Sequence, residues 1–291
     1  MAQDGCTELH GLHVCRGEMG VNTVYWERYR VAIDPAVEPP RLPGRARRVL
    51  LTHGHADHIR YAAALREEGA TVLAPRPCLP LIEDPHVNHM ATTGWAGPVP
   101  EDYITRYFLG PGTRVDYTIE PGMALPGVSA YAAPGHTPGS MVYIVHADAK
   151  ILVAGDAVYG AVYLRDTPLL YHTDTTAWLQ TLERLRGLDP DALIPGHGEP
   201  ATSKKEARKL IDMNIEKIRE MLRLALSALD SDEWLTGDEA AMRLAELTGY
   251  ARSKRAYSIL APTTRALLHH LAEQGQAERR VEKGVLVWRK A

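Results

Sequence analysis

"LTHGHADHI", residues 51–59, sets three histidines and an aspartate within six positions, directly after the apolar run RVLL. A strand that ends here, followed by a loop and the start of a helix, lets His53, His55, Asp57 and His58 converge on one point. Neither a regular helix nor a regular strand would allow that. Imidazole and carboxylate are ligands for zinc, manganese or iron, and no Ser or Cys sits among them to act as a nucleophile. A single His-x-His reads equally well as a surface pair at a strand end. Four ligating side chains this close together do not.

Around this stretch, RRVLLTH reads as a short buried strand, HIRYAAALREEG as a helix stopped by Gly69, and ATVLAP as the next strand. Upstream, LHVCRG, VNTVYWE and YRVAID are three more strand signals. From Pro75 to Pro121 the chain is rich in Pro and Gly and carries Trp95, Tyr103, Tyr107 and Phe108. This irregular segment reads as a lid or pocket wall, and equally as a packed surface loop or subunit contact. Strand rhythm then returns in VSAYAAPGH and in SMVYIVHADAKILVAGD, whose Ala-Asp-Ala-Lys divides two β runs as a hairpin would. TTAWLQTLERLRGLDP reads as a capped helix closed by Gly, DALIPGHGEP as a last strand and loop, and Lys204 to Leu229 as a long charged helix.

Three further ligating residues sit where such strands end. APGHTPGS carries His136, LVAGDAV carries Asp156 and LIPGHGEP carries His197. Taken singly, the first could cap a turn, the second could close an Asx-turn and the third could be a surface loop residue. Taken together, four apolar strands that each deliver His or Asp to a Gly-bearing loop predict one metal-binding rim.

With these motifs in order, His-x-His-x-Asp-His, Gly-His-Thr-Pro-Gly-Ser, Gly-Asp and Pro-Gly-His-Gly, the chain resembles the metallo-β-lactamase superfamily from Leu12 to about Pro200. The resemblance implies an α/β fold, an αββα sandwich with the metal site at one edge between two sheets. It implies that His53, His55 and His136 hold one divalent transition-metal ion, that Asp57, His58 and His197 hold a second, and that Asp156 bridges them. Zinc is expected first, with manganese and iron as alternatives. The bridging Asp is a feature of the glyoxalase II, lactonase and ribonuclease branches, which disfavours β-lactam hydrolysis. Two cations about 3.5–4 Å apart would share and deprotonate a water, and the hydroxide would attack a carbonyl carbon or a phosphorus. Asp57, with a free oxygen, is expected to carry the proton. Where the family has glycines after Asp-His, Arg60 and Tyr61 follow here. Arg60 reads as an exposed helix residue or as a clamp for a substrate carboxylate or phosphate.

The C-terminal stretch supplies a second pattern. TGDEAAMRLAELTG and PTTRALLHHLAEQG read as two amphipathic helices, and QAERRVEKGVLVWRK as a hairpin turning at Lys283-Gly284. Helix, helix, hairpin resembles a winged helix of the kind some superfamily members carry after the sandwich, among them endoribonucleases and thioester hydrolases. The expected domains are a catalytic domain over 1–203, a helical connector over 204–230 and a winged-helix-like domain over 231–291. Arg265, Arg279, Arg280, Lys283, Arg289 and Lys290 are candidate phosphate contacts, diluted by Glu246, Glu273, Glu278 and Glu282.

Composition limits the partners. The chain has 291 residues, 45% of them hydrophobic, and a net charge of −3, so no whole-protein attraction draws it to polyanions. No apolar run reaches membrane-span length and MAQDGCTELHG lacks a signal-peptide pattern, so a cytoplasmic protein with no membrane contact is expected. Cys6, Cys15 and Cys78 are odd in number and unmotivated by spacing, which argues against a disulfide framework or a Cys-rich zinc module. The leading expectation is a dinuclear hydrolase of a small ester, thioester or lactone. A single-strand endoribonuclease is the first alternative and an iron-dependent persulfide oxygenase, with a mononuclear site, the second. The expected partner is a small-molecule substrate, with nucleic acid ranked lower and a homodimer left open.

Overall fold

The computed structural model describes residues 5–93, 109–250 and 254–291. The first sheet contains β1 (Cys6–Leu9), β2 (Leu12–Arg16), β3 (Asn22–Trp26), β4 (Val31–Ile33), β5 (Arg48–Leu50), β6 (Thr71–Pro75) and β7 (Tyr117–Ile119), side by side in sequence order. The pairs from β1 to β4 are antiparallel and those from β4 to β7 are parallel. The second sheet has the order β12 (Ala192–Ile194), β11 (Lys150–Val153), β10 (Met141–His146), β9 (Val128–Ala132), β8 (Ala124–Leu125).

Alternation along each strand separates the layers. Val14, Val24, Ile33, Leu50 and Leu73 meet Val128, Met141, Tyr143, Val145, Ile151, Val153 and Ile194 in the core between the sheets. Their neighbours Cys15, Tyr25, Ala32, Val49, Leu51 and Val72 turn the other way, onto α1 (Ala62–Glu67) and Ile82 of α2 (Leu79–Glu83). Both faces of these strands are buried, which is why the sequence reads there as continuous apolar runs. The outer face of the second sheet, with Val142, Ile144, Leu152 and Leu193, packs on Leu164 of α4 (Ala161–Asp166), Trp178 of α5 (Thr175–Leu188) and Ile211 of α6 (Lys204–Ser227). The result is the αββα sandwich, with α3 (Pro85–Thr93) following α2.

Leu244 of α7 (Gly237–Thr248) and Leu267 and Leu271 of α8 (Lys254–Glu273) belong to the same packed cluster as Trp178 and Ile211. So does Trp288 of β15 (Val285–Lys290), which lies between β13 (Leu235–Thr236) and β14 (Ala277–Glu282) in a three-stranded sheet. Thr236 and Glu239 form a reciprocal capping box at the start of α7, and Gly249 closes the helix in the left-handed region. The β14–β15 turn at Lys283 and Gly284 has positive φ at both residues, as a tight hairpin requires.

Several expectations are corrected. Residues 79–83 and 85–93 are helical where an irregular segment was expected, because Pro80 and Pro85 open helices instead of breaking them. Trp95, Tyr103, Tyr107 and Phe108 lie outside the described residues. Helix α1 begins at Ala62, since residues 56–61 form turns and a bend. Gly187 lies inside α5, which stops on Asp189 at φ 53°. Helix α8 extends upstream to Lys254 with Pro262 inside it. Cys6 and Cys15 are disulfide-bonded, because the β1–β2 register sets them directly opposite each other. In a glutathione-buffered cytosol the same pair would stand as two thiols. Among the described residues no helix is long and apolar enough to cross a membrane.

Candidate metal centre

Strands β9, β11 and β12 run in one direction, so their carboxyl ends open on one edge of the second sheet. The loops that follow carry His136, Asp156 and His197. Across the sandwich, the loop after β5 carries His53, His55, Asp57 and His58. The two sheets are fastened here by Met141 N donating to Thr52 O at 2.8 Å and by the Tyr143 hydroxyl donating to Leu51 O at 2.6 Å. Tyr143 is fully buried, so both the strand end and the loop that leaves it are fixed.

All seven residues anticipated from the sequence come together. His53, His55, His136 and Asp156 form one group and Asp57, His58 and His197 another, with the candidate ligand atoms of each group within 4.8 Å of one another. His55 Nδ1 and His136 Nε2 are 2.9 Å apart, and His197 Nε2 lies 3.4 Å from Asp57 Oδ2. Asp156 reaches both groups: its Oδ2 is 3.5 Å from His136 Nε2, and its Oδ1 is 3.1 Å from His58 Nε2 and 3.6 Å from His197 Nε2. Gly196 makes this approach feasible, because a Cβ there would sit 2.0 Å from Asp156 Oδ1.

The atoms left unsatisfied fit a cation. His53 Nε2, His58 Nε2 and Asp156 Oδ1 are buried without a well-formed hydrogen bond among the described residues, the last two facing each other at 3.1 Å. Buried polar atoms are otherwise almost always paired, and two imidazole nitrogens with a carboxylate oxygen are a donor set for divalent transition metals. Burial, followed by the charges of neighbouring histidines, holds His53 well below the ordinary imidazole range and His55 down to about 3. Burial also lowers His136. These rings are therefore neutral, the form that ligates. Burial works against ionised carboxylates, but His58 and His197 hold Asp57 at about 2 and, with His136, hold Asp156 well below its usual range. His58 is the exception: against its burial, Asp156, Asp57 and Asp34 hold it well above the usual range.

A surrounding set of residues orients the ligands, and the sequence did not reveal it. Asp34, in the left-handed region just after β4, accepts from Thr52 N at 2.8 Å, from the Thr52 hydroxyl at 2.6 Å and from His58 Nδ1 at 2.9 Å. His136 Nδ1 donates to Tyr171 O at 2.9 Å, and the Tyr159 hydroxyl donates to Asp156 Oδ2 at 3.0 Å. From α3, the Asn88 amide donates to Gly54 O inside the His-x-His loop. Tyr171 lies edge-on to His55 and His136 at 5.0 and 5.4 Å, and Tyr163 lies 5.1 Å from His197, so aromatic rings flank the cluster. The aromatic and Asp positions in YRVAID, GDAVYGAVY and LLYH were the available signals. Arg60 is half-buried in the turn before α1, and among the described residues it makes no hydrogen bond or ion pair that ties it to the cluster.

The model of the metallo-beta-lactamase superfamily matches residues 41–197, more than half of the chain, and the chain belongs to that superfamily. It is 28% identical over 185 residues to the probable metallo-hydrolase YflN of Bacillus subtilis (strain 168), covering 57% of this chain and 69% of that protein. It is 30% identical over 170 residues to hydroxyacylglutathione hydrolase of Rhizobium meliloti (strain 1021), a match covering 56% of this chain and 54% of that protein, so about half the relative's length is spanned. Among solved structures, metallo-beta-lactamase family protein TTHA1429 from Thermus thermophilus aligns with TM-score 0.64 at 20% identity, over 96% of this chain and 93% of that one. A beta-lactamase domain protein from Burkholderia ambifaria aligns with TM-score 0.66 at 18% identity, over 100% and 95%. These two alignments speak to the fold. With the His and Asp groups described above, the family makes this chain a metal-dependent hydrolase.

Proposed function

We propose that the chain hydrolyses a small ester, thioester or lactone at a two-metal centre. His53, His55 and His136 would hold one ion, Asp57, His58 and His197 the other, and Asp156 would serve both. The observation that carries this is the buried carboxylate of Asp156, which sends Oδ2 toward His136 of one group and Oδ1 toward His58 and His197 of the other. The chemistry that such ions supply when bound is polarisation of the scissile carbonyl and acidification of water. Zinc is the first expectation for both ions.

The chain's own residues do the rest. Asp34 and the Tyr171 carbonyl fix the tautomers of His58 and His136, so that each ring presents Nε2 inward. Asp57 is less deeply buried than the histidines and has an oxygen to spare. It takes the proton from the attacking water and returns it to the leaving group. The Tyr159 hydroxyl keeps Asp156 in place from outside the cluster.

A small, weakly charged substrate is favoured over a phosphodiester by the C-terminal unit, which we read as winged-helix-like. Three of its six candidate phosphate contacts are spent on internal partners: Arg265 on Asp238, Arg280 on Glu282 and Arg289 on Glu278. Arg280 and Arg289 also lie over the Trp234 ring, at 4.1 and 4.8 Å. Turnover of thioesters, lactones and single-stranded RNA, with metal quantified in the same preparation, tests the proposal. Hydrolysis of a thioester or lactone at two ions per chain is expected. One iron per chain with oxygen consumption on a persulfide would replace the reading.

A further inference from the structure

We infer that Thr263, on the C-terminal helix α8, is a positioning residue of the metal centre and acts on His136 through the backbone of residues 170–174. The inference rests on the metal-centre reading above. His136 is held by its Nδ1–H to Tyr171 O at 2.9 Å, and that carbonyl belongs to a segment with few regular bonds of its own.

The segment is pinned on both sides of Tyr171. On one side, Leu170 O accepts from the Thr263 hydroxyl at 3.3 Å and from His172 Nδ1 at 3.0 Å. On the other, Thr173 N and Asp174 N both donate to Gly135 O, next to His136, at 2.9 and 3.1 Å. His172 is fully buried, burial pushes it down to about 4, and its Nε2 takes the Thr175 hydroxyl at 2.7 Å. It is therefore a neutral, fixed ring with Nδ1–H committed to the same carbonyl as Thr263. A second tie from α8 lies at the start of α5, where the Thr176 hydroxyl meets His270 Nδ1 at 2.8 Å and Glu273 at 2.9 Å.

Thr263 is fully buried, so its hydroxyl was desolvated for this one acceptor. The next residue provides a matched comparison. Thr264 is equally buried on the same helix, yet its Oγ1 has no partner among the described residues. The same substitution at both positions removes the same atoms from the same helix, and only one of the two hydroxyls is bonded to the segment that holds His136.

The experiment is zinc affinity by competition with a chromophoric chelator, alongside thermal stability. Thr263→Val should weaken zinc binding by about tenfold, the lower part of the range for partners that orient metal ligands. Thr263→Ser should restore it, and Thr264→Val should leave it at the parent value. Equal losses in both valine variants, or none in Thr263→Val, would overturn the inference by reducing Thr263 to packing. If Thr263→Val does not yield folded protein, Thr176→Val reads the same brace at a half-exposed position, where a several-fold weakening is expected and an unchanged affinity overturns it. A parent protein that binds no zinc or other divalent metal would remove the metal-centre reading as well, which separates the two failures.

Discussion

Asp34 Oδ2 lies 2.9 Å from His58 Nδ1, and the opposite nitrogen of that ring is the one that faces Asp156 at 3.1 Å. A carboxylate on the outer nitrogen fixes the tautomer and raises the basicity of the inner one. Asp34→Ala should therefore weaken metal binding by about 10–100-fold although Asp34 is not itself expected to be a ligand. Chelator competition checks this, and an unchanged affinity would take Asp34 out of the site.

Metal content follows from the sharing of Asp156 between the groups. Elemental analysis should give close to two transition-metal ions per chain, and exhaustive chelation should abolish hydrolysis. Asp156→Ala should lower the ratio toward one or below, because each group loses a ligand. A ratio of one in the parent protein that is insensitive to removal of His197 would sink the two-metal arrangement.

Asp57 separates ligation from proton transfer. In Asp57→Asn the amide oxygen can still coordinate but the group no longer takes a proton. The variant should keep much of its metal while turnover falls by about 10²–10⁴. Full activity with full metal content would exclude Asp57 from the chemistry.

The hairpin arginines report on substrate class. Arg280 is already engaged by Glu282 and Trp234, and Arg279 by the His269 ring. Combined Arg279→Ala and Arg280→Ala should leave turnover of a small ester within about threefold, as for solvated charges away from the chemistry. Single-stranded RNA should be cleaved slowly or not at all by the parent. Fast RNA cleavage that collapses in the double variant and weakens steeply with salt would favour the endoribonuclease.

What the sequence disclosed and what it withheld divide along contact range. His53, His55, Asp57 and His58 are legible because their clustering is local, and His136, Asp156 and His197 because each ends an apolar run. Asp34 could not be recognised from YRVAID alone, since its role depends on the parallel pairing of Ile33 with Leu50. Tyr171 and Thr263 act across 35 and 93 positions of chain, respectively, through carbonyls that no residue pattern marks. The Cys6–Cys15 bond was missed for a related reason: nine positions of separation mean little until a hairpin register sets the two side chains face to face. Pro80 and Pro85 misled in the opposite sense, because a proline at a helix start and one in a loop look alike in a sequence.

The apolar cluster that begins on the outer face of the second sheet takes in residues of α5, α6, α7 and α8 and reaches Trp288. Elements that share one packed cluster are expected to lose their structure together. Calorimetry should record heat uptake as one cooperative endotherm, and substitutions as far from the ligands as Leu271 should shift the midpoint of the whole transition. Exchange protection at the amides of β11 and of α8 should likewise be lost together, in a single opening event.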